Sequence, residues 1–117
     1  LTQRLAGLLG SWPVSGPAIS TATRALADDE WTAATRAALN ARGKRLRALL
    51  DRFALPVKGG TSLFVLVEHE RAAEIHLALA KSGVWTRIFA ERPAWIRIGV
   101  PTDDGLARLE RALSDLR

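Results

Sequence analysis

Apolar residues at three- and four-residue intervals predict helices through the first half of the chain. A short opening helix is followed by the breaker-rich segment SWPVSGP, where Ser15 or Gly16 can cap a second helix that runs to about Leu26. Asp28 can cap a long third helix, which must end before Pro56 because the residue preceding a proline avoids the helical region. The apolar side of this third helix consists of Leu39, Leu46, Leu50 and Phe53.

In the second half the periodicity changes to that of strands. Residues 63–67 form a β-branched and aromatic run typical of a buried strand, and we interpret Gly59 and Gly60 before it as a turn. Helical spacing returns over residues 70–82. Two further strands, VWTRIF and WIRIGV, are joined by the five-residue loop AERPA.

The last helix is capped by Thr102 or Asp103 and runs to the end of the chain. The order of elements predicts an α+β fold: a small, mostly antiparallel sheet of about three strands, with helices packed on one face and further helices preceding it.

Composition adds that the 117 residues, 48% hydrophobic and 25% charged, form one globular domain. The absence of cysteine excludes disulfides, thiolate metal sites and a cysteine nucleophile, and favours a cytoplasmic location. No apolar run reaches the roughly 20 residues that a membrane span needs. Because the chain begins at Leu1 and contains no methionine, we expect it to be a piece of a longer protein.

The net charge of +5 is interpreted as a compositional excess of arginine, with no nucleic-acid partner expected. Single-strand binders interleave aromatic side chains with their cations, and only Phe53 lies near the one dense basic cluster. We therefore expect a solvated helix face. The cluster consists of Arg42, Lys44, Arg45, Arg47 and Arg52.

The two late strands separate into an apolar face and a face of aromatic and basic residues. The apolar face comprises Val84, Thr86, Ile88, Ile96, Ile98 and Val100, and the other comprises Trp85, Arg87, Phe89, Trp95, Arg97 and Gly99. If AERPA is the hairpin loop, Phe89 stands opposite Trp95 and Arg87 opposite Arg97. Two cations facing each other are destabilising, and a bound carboxylate or phosphate would remove the conflict.

Two alternatives for the arginine pair stay open at the level of sequence. Each guanidinium could pair with an internal carboxylate or extend to solvent, and a one-residue slip in register would separate the two. Gly99 either leaves room for a ligand or marks a bulge. The candidate internal carboxylates are Glu68, Glu70 and Glu91.

Other residues give weaker indications. His69 and His76 lack a third ligand, so no metal site is predicted. Trp12 and Trp31 are interpreted as core or interface anchors. The glycine pair before the first strand lacks the spacing of a phosphate loop, and no catalytic triad is present, so we predict no catalytic residue in this segment.

The most specific stretches of the chain are WPVSGPA, KGGTSLF and WIRIGVP. With the flanking SWPVSGPAISTATRALADDEW and GVWTRIFA they resemble the C-terminal small domain of class I/II aminotransferase-like enzymes, which are fold-type-I pyridoxal-phosphate proteins. Within that family the resemblance is to the threonine-phosphate decarboxylase-like branch of cobalamin biosynthesis, with histidinol-phosphate aminotransferases nearest to it. The two activities are not separated by these residues, and a non-enzymatic module binding an anion or nucleic acid remains the alternative from another class.

The resemblance implies roles for both arginines. Arg97, in WIRIGVP, matches the arginine that grips the substrate carboxylate, and Arg87, in GVWTRIF, matches a second arginine used with phosphate-bearing substrates. It also implies residues 1–14 as the end of an interdomain helix and bend, and residues 15–117 as the small domain. The implied partners are an anionic amino-acid phosphate, the enzyme's own large domain and a second subunit in a homodimer.

The resemblance implies pyridoxal 5'-phosphate as cofactor, bound by a large domain outside this chain. The family's Schiff-base lysine lies in a serine-rich motif, and none of Lys44, Lys58 and Lys81 has that motif around it. We therefore expect this chain to belong to an enzyme while being inactive alone, with no cofactor-binding residue of its own.

Overall fold

A computed structural model describes residues 2–10 and 12–116, apart from the side chain of Ala6. Its elements follow the order helix, helix, helix, strand, strand, helix, strand, strand, helix. The chain divides into two compact units, Leu1–Ala34 and Thr35–Arg117. Within the described residues no helix has both the length and the apolar character that a membrane crossing requires.

The second helix begins where its predicted cap lies. Helix α1 spans Thr2–Leu9 and α2 spans Gly16–Leu26. The Ser15 side chain accepts a hydrogen bond from the Ala18 amide at 3.4 Å, and Pro17 occupies the first turn, where its missing N–H costs nothing. The predicted extent of the second helix is confirmed, although none of its residues is buried within this chain.

Helix α3 spans Asp29–Arg52 and supplies the first part of the core. The Trp31 amide donates to Asp28 Oδ1 at 2.9 Å, which confirms Asp28 as the capping residue. Leu46 and Leu50 are fully buried, while Leu39 and Phe53 at the margins of the same side are half-buried. As predicted, the helix ends ahead of the proline.

The sheet has four strands, β1 Val57–Gly60, β2 Phe64–Glu68, β3 Arg87–Phe89 and β4 Arg92–Gly99. Their order is β1-β2-β4-β3, and every neighbouring pair is antiparallel. The predicted fold class is therefore confirmed, with a fourth strand added.

The interpretation of Gly59 and Gly60 as a turn is wrong, because they pair with Leu66 and Val65 in β1. Glycines have no side chain to show the two-residue alternation by which a strand is recognised. Gly60 has φ of 156°, and a Cβ there would collide with the carbonyl oxygen of Phe64.

The connection between β3 and β4 is shorter than AERPA. Because β4 begins at Arg92, only residues 90–91 lie between the two strands. A register irregularity between Ile88 and Phe89 places Phe89 opposite Arg92, so the predicted pairing of Phe89 with Trp95 is wrong. Their rings nevertheless meet edge to face, with centroids 6.5 Å apart.

The core lies on one face of the sheet, beneath α3, α4 Ala72–Lys81 and α5 Asp103–Ser114. The Gly105 amide donates to Thr102 Oγ1 at 3.3 Å, so Thr102 rather than Asp103 is the cap. The predicted apolar face is buried or half-buried except at Ile88, which is 41% exposed in the short edge strand β3. The core residues of the sheet are Val65, Val67, Ile96 and Ile98.

Candidate anion-binding site

The outer face of the sheet brings the two predicted arginines together. Arg87 of β3 and Arg97 of β4 are directly opposed strand partners, as the assumed hairpin register predicts. Side chains so placed leave their strands about 4.5–5.5 Å apart at Cβ. The register therefore puts two positive charges side by side on the face away from the core.

Neither guanidinium is neutralised by an acidic side chain among residues 2–10 and 12–116. Both lie over aromatic rings instead: Arg97 Cζ is 5.1 Å from the ring centroid of Phe64, and Arg87 Cζ is 5.5 Å from that of Phe89. A guanidinium carries five N–H donors, and a cation–π contact does not pair them with an acceptor oxygen. Both side chains can therefore still bind an anion through paired N–H donors.

Both arginines line an open groove with a volume of about 900 Å³. Gly99 lies at its wall, and a Cβ added there would meet nothing closer than the Leu63 carbonyl oxygen at 4.0 Å. The glycine is thus not required by packing, and its effect is to leave space beside Arg97. The groove is lined by Leu63, Phe64, His76, Trp85, Thr86, Arg87, Ile88, Arg97 and Gly99.

His76 also lines the groove, a position that the sequence did not indicate. Its Nδ1 lies 2.7 Å from the hydroxyl of buried Thr86, and its ring meets Trp85 edge to face at 5.3 Å. His69 is engaged elsewhere, where its Nδ1 accepts a hydrogen bond from the Arg71 amide at 3.1 Å. Within the described part of the chain, no group of three or more His, Asp or Glu side chains could hold a metal ion.

A second polar cluster, formed by Lys58, Glu68 and Trp95, lies on the same face, two residues farther along β2 and β4. Lys58 Nζ is 2.8 Å from Glu68 Oε2, and the indole N–H of Trp95 donates to Glu68 Oε1 at 3.2 Å. The hydrogen bond from Lys58, followed by that from Trp95, lowers the pKa of Glu68, and the same ion pair raises the pKa of Lys58. This rules out the alternative in which Glu68 neutralises the arginines. The opposite charges of Lys58 and Glu68 were the sequence signal for this contact. The signal was missed because Gly59 and Gly60 were interpreted as a turn, so that β1 was not recognised as a strand.

The lysines of this chain do not fit covalent attachment of pyridoxal phosphate. Lys58 is paired with Glu68, and this ion pair raises the pKa of its amine, the opposite of the lowered pKa that activates a lysine nucleophile. Lys44 and Lys81 stand exposed on α3 and at the end of α4, with neither of them on the wall of the groove.

The basic cluster on α3 is partly neutralised by carboxylates of α5. Arg45 Nη1 lies 2.7 Å from Asp103 Oδ1, with Arg42 at 4.0 Å from the same oxygen, and Arg52 pairs with Glu110. Three of its residues are exposed, as predicted, whereas Arg42 and Arg47 are half-buried. The cluster is less positive than the sequence alone indicates.

Trp12 and Trp31 are not core residues of this chain, since they are 90% and 63% exposed. The interpretation of the two tryptophans as core anchors is therefore wrong. The alternative, that they anchor an interface, stays a prediction.

Comparison with known proteins places these features in a family. The sequence profile described as "Aminotransferase class I and II" matches residues 1–113. Threonine-phosphate decarboxylase from Pseudomonas aeruginosa is 42% identical over 114 residues, which are 97% of this chain and 34% of that protein. A protein of the same name from a Sinorhizobium species is 43% identical over 110 residues, covering 87% of this chain and 32% of the relative.

Histidinol-phosphate aminotransferase 2 from Gluconobacter oxydans is 31% identical over 117 residues, 97% of this chain and 33% of that protein. The chain thus spans about a third of the length of the curated relatives it matches.

Solved structures share the fold. N-succinyldiaminopimelate aminotransferase from Mycobacterium tuberculosis superposes with a TM-score of 0.65 at 29% identity, over 86% of this chain and 30% of that one. A Burkholderia pseudomallei protein described as an aminotransferase superposes with a TM-score of 0.59 at 23% identity, over 67% of this chain and 25% of its own. From its sequence, with the fold in agreement, the chain belongs to the aminotransferase class I and II family.

Proposed function

We propose that this chain is the substrate-binding C-terminal domain of a threonine-phosphate decarboxylase-like enzyme of cobalamin biosynthesis. The reaction converts L-threonine O-3-phosphate to aminopropanol phosphate and carbon dioxide. The observation that carries the proposal is the opposed pair Arg87 and Arg97, free of acidic partners among the described residues and lining one open groove. The two relatives named threonine-phosphate decarboxylase, at 42% and 43% identity, support the choice of substrate.

The substrate carries two anionic groups, and the two arginines match them in number and chemistry. Arg97, half-buried and beside Gly99, holds the carboxylate, and the more exposed Arg87 holds the phosphate. Guanidinium forks bind both groups through two parallel hydrogen bonds. Two anchors fix the orientation of the amino acid, whereas one would leave it free to rotate.

Orientation decides which bond at the α-carbon breaks. In pyridoxal-phosphate enzymes the cofactor supplies an electron sink, and the protein selects the bond by placing it across the cofactor plane. The cofactor and its lysine belong to the large domain of the proposed full-length enzyme, a cytoplasmic homodimer. The present chain alone is inactive in this proposal.

A histidinol-phosphate aminotransferase-like activity is the second candidate, supported by the Gluconobacter oxydans relative at 31% identity. Its amino donor would have a phosphate but no carboxylate, so Arg97 would find a carboxylate only on the oxo-acid acceptor. A module that binds nucleic acid through the α3 cluster is less well supported, because three of those arginines pair with α5.

The test is to supply the full-length protein with L-threonine O-3-phosphate and to measure carbon dioxide and keto-acid separately. Carbon dioxide release supports the decarboxylase, and keto-acid formation with an amino acceptor supports the transaminase. Substituting Arg97→Ala should cost several kcal/mol of transition-state stabilisation in kcat/KM, as the loss of a charge-assisted positioning contact does. Arg111→Ala removes an exposed arginine from the last turn of α5 and is the matched control. An Arg97→Ala enzyme with undiminished kcat/KM would contradict the assignment.

A further inference from the structure

One carboxylate on the outer face of the sheet is within reach of the arginine pair. Leu66 lies opposite Arg97 and Glu68 lies opposite Trp95, so Glu68 is a diagonal neighbour of Arg97 on the same face. Diagonal neighbours stand roughly 7–8 Å apart, a gap that a glutamate and an arginine can bridge. Such a pair would neutralise Arg97 and compete with any anionic ligand.

The structure keeps the two apart. Both oxygens of Glu68 are engaged: Oε2 lies 2.8 Å from Lys58 Nζ, and Oε1 accepts the indole N–H of Trp95 at 3.2 Å. Arg97 points toward the opposite diagonal, where Phe64 receives its guanidinium at 5.1 Å. Glu68 and Arg97 therefore face away from each other although the register makes them neighbours.

A bulge places Lys58 where this contact needs it. The register of β1 shifts between Val57 and Gly59, so that Lys58 is the extra residue. An ion pair as exposed as Lys58–Glu68, with side chains 60% and 40% accessible, adds little to the stability of a fold.

We propose that Lys58 and Trp95 are positioning residues that hold Glu68 away from Arg97 and so keep the arginine pair available to the anionic substrate. The proposal rests on the proposed function of the arginines. A direct contact of Lys58 with the ligand is the competing explanation, and the groove does not favour it, because none of Lys58, Glu68 and Trp95 lines its wall.

A double-mutant cycle separates the two explanations. Binding of L-threonine O-3-phosphate to the full-length protein is followed by calorimetric titration in the wild type, Lys58→Met, Glu68→Gln and the double variant. Released Glu68 competes for Arg97, so Lys58→Met should weaken binding about two- to fivefold, the range of an exposed ion pair. In the Glu68→Gln background the same change should have no effect. Lys81→Met, which removes a cation from the end of α4, is the matched control.

Equal weakening by Lys58→Met in both backgrounds would show that Lys58 contacts the ligand, and would overturn the proposal. Trp95→Phe keeps an aromatic ring but loses the N–H donor. This variant should also weaken binding of L-threonine O-3-phosphate, and adding Glu68→Gln should restore the lost affinity.

A measurement without ligand distinguishes failure of this inference from failure of the proposed function. In Lys58→Met the Glu68 carboxyl should turn to Arg97, so its pKa should rise further when Arg97→Gln is added. An unchanged Glu68 pKa on that addition overturns the positioning role. Equal binding by the wild type and Arg97→Gln instead overturns the proposed role of Arg97, whatever Glu68 does.

Discussion

Replacing the two opposed arginines by glutamine, singly and together, should reveal a charge–charge repulsion that lowers the free energy of unfolding of the ligand-free chain. Arg87 and Arg97 are strand partners, and no carboxylate within the described segments 2–10 and 12–116 neutralises them. Two unit charges about 6–10 Å apart in water repel by roughly 0.4–0.7 kcal/mol. Like charges opposed in a sheet cost a similar amount, about 0.2–1 kcal/mol. We expect a repulsive coupling of about 0.5 kcal/mol between the two positions.

The cycle is needed because each arginine also contacts a ring. Arg87 lies over Phe89 and Arg97 over Phe64, and a single substitution loses that attraction together with the repulsion. The coupling energy cancels the two ring contacts and isolates the charge–charge interaction. Urea unfolding followed by tryptophan fluorescence measures it, first at low salt and then in about 1 M sodium chloride, where screening over about 3 Å should remove most of it.

Substitutions that prove additive at low salt would refute this reasoning, as would a coupling that salt leaves unchanged. A cycle between Arg97 and the remote Arg111, both changed to glutamine, should show no coupling and serves as the control. L-threonine O-3-phosphate should raise the unfolding midpoint of the wild type, since it binds only the folded chain, and should lose that effect when either Arg87 or Arg97 is replaced.

Three further outcomes are expected. The Glu68 carboxyl should titrate by NMR below its ordinary pKa of 4.5, because Lys58 and Trp95 bind its ionised form. A lowered pKa means that the stabilisation is present above 4.5 and is lost as pH falls through the lower folded value, and a titration at or above 4.5 would contradict the contact. Gly60→Ala should destabilise the chain by about 1–3 kcal/mol in urea unfolding, because a Cβ meets the rigid backbone of β2 at a strained φ. Gly99→Ala should stay within about 0.5 kcal/mol of the wild type, because its Cβ would meet only the Leu63 carbonyl oxygen at 4.0 Å, and equal losses at the two glycines would refute the distinction.

Local signals in the sequence were sufficient for most elements. Capping by Ser15, Asp28 and Thr102 depends on neighbours three residues away, and the structure has all three hydrogen bonds. Alternation along the late strands likewise determined which residues share a face, and the assumed hairpin register placed Arg87 opposite Arg97. These features depend on separations of a few residues, which a linear pattern records.

Contacts made across strands were decided by the tertiary structure. The irregularity beside Phe89 and the strand pairing of Gly59 leave no periodic signal, because an inserted residue or a missing side chain interrupts the alternation itself. Whether Glu68 would neutralise the arginines also depended on Lys58, a residue displaced by a bulge. The sequence by itself determined the fold class, the caps and the shared face of the arginines. Only the packed sheet decided that Glu68 pairs with Lys58 and not with Arg97, because that choice depends on distances between strands and not on order along the chain.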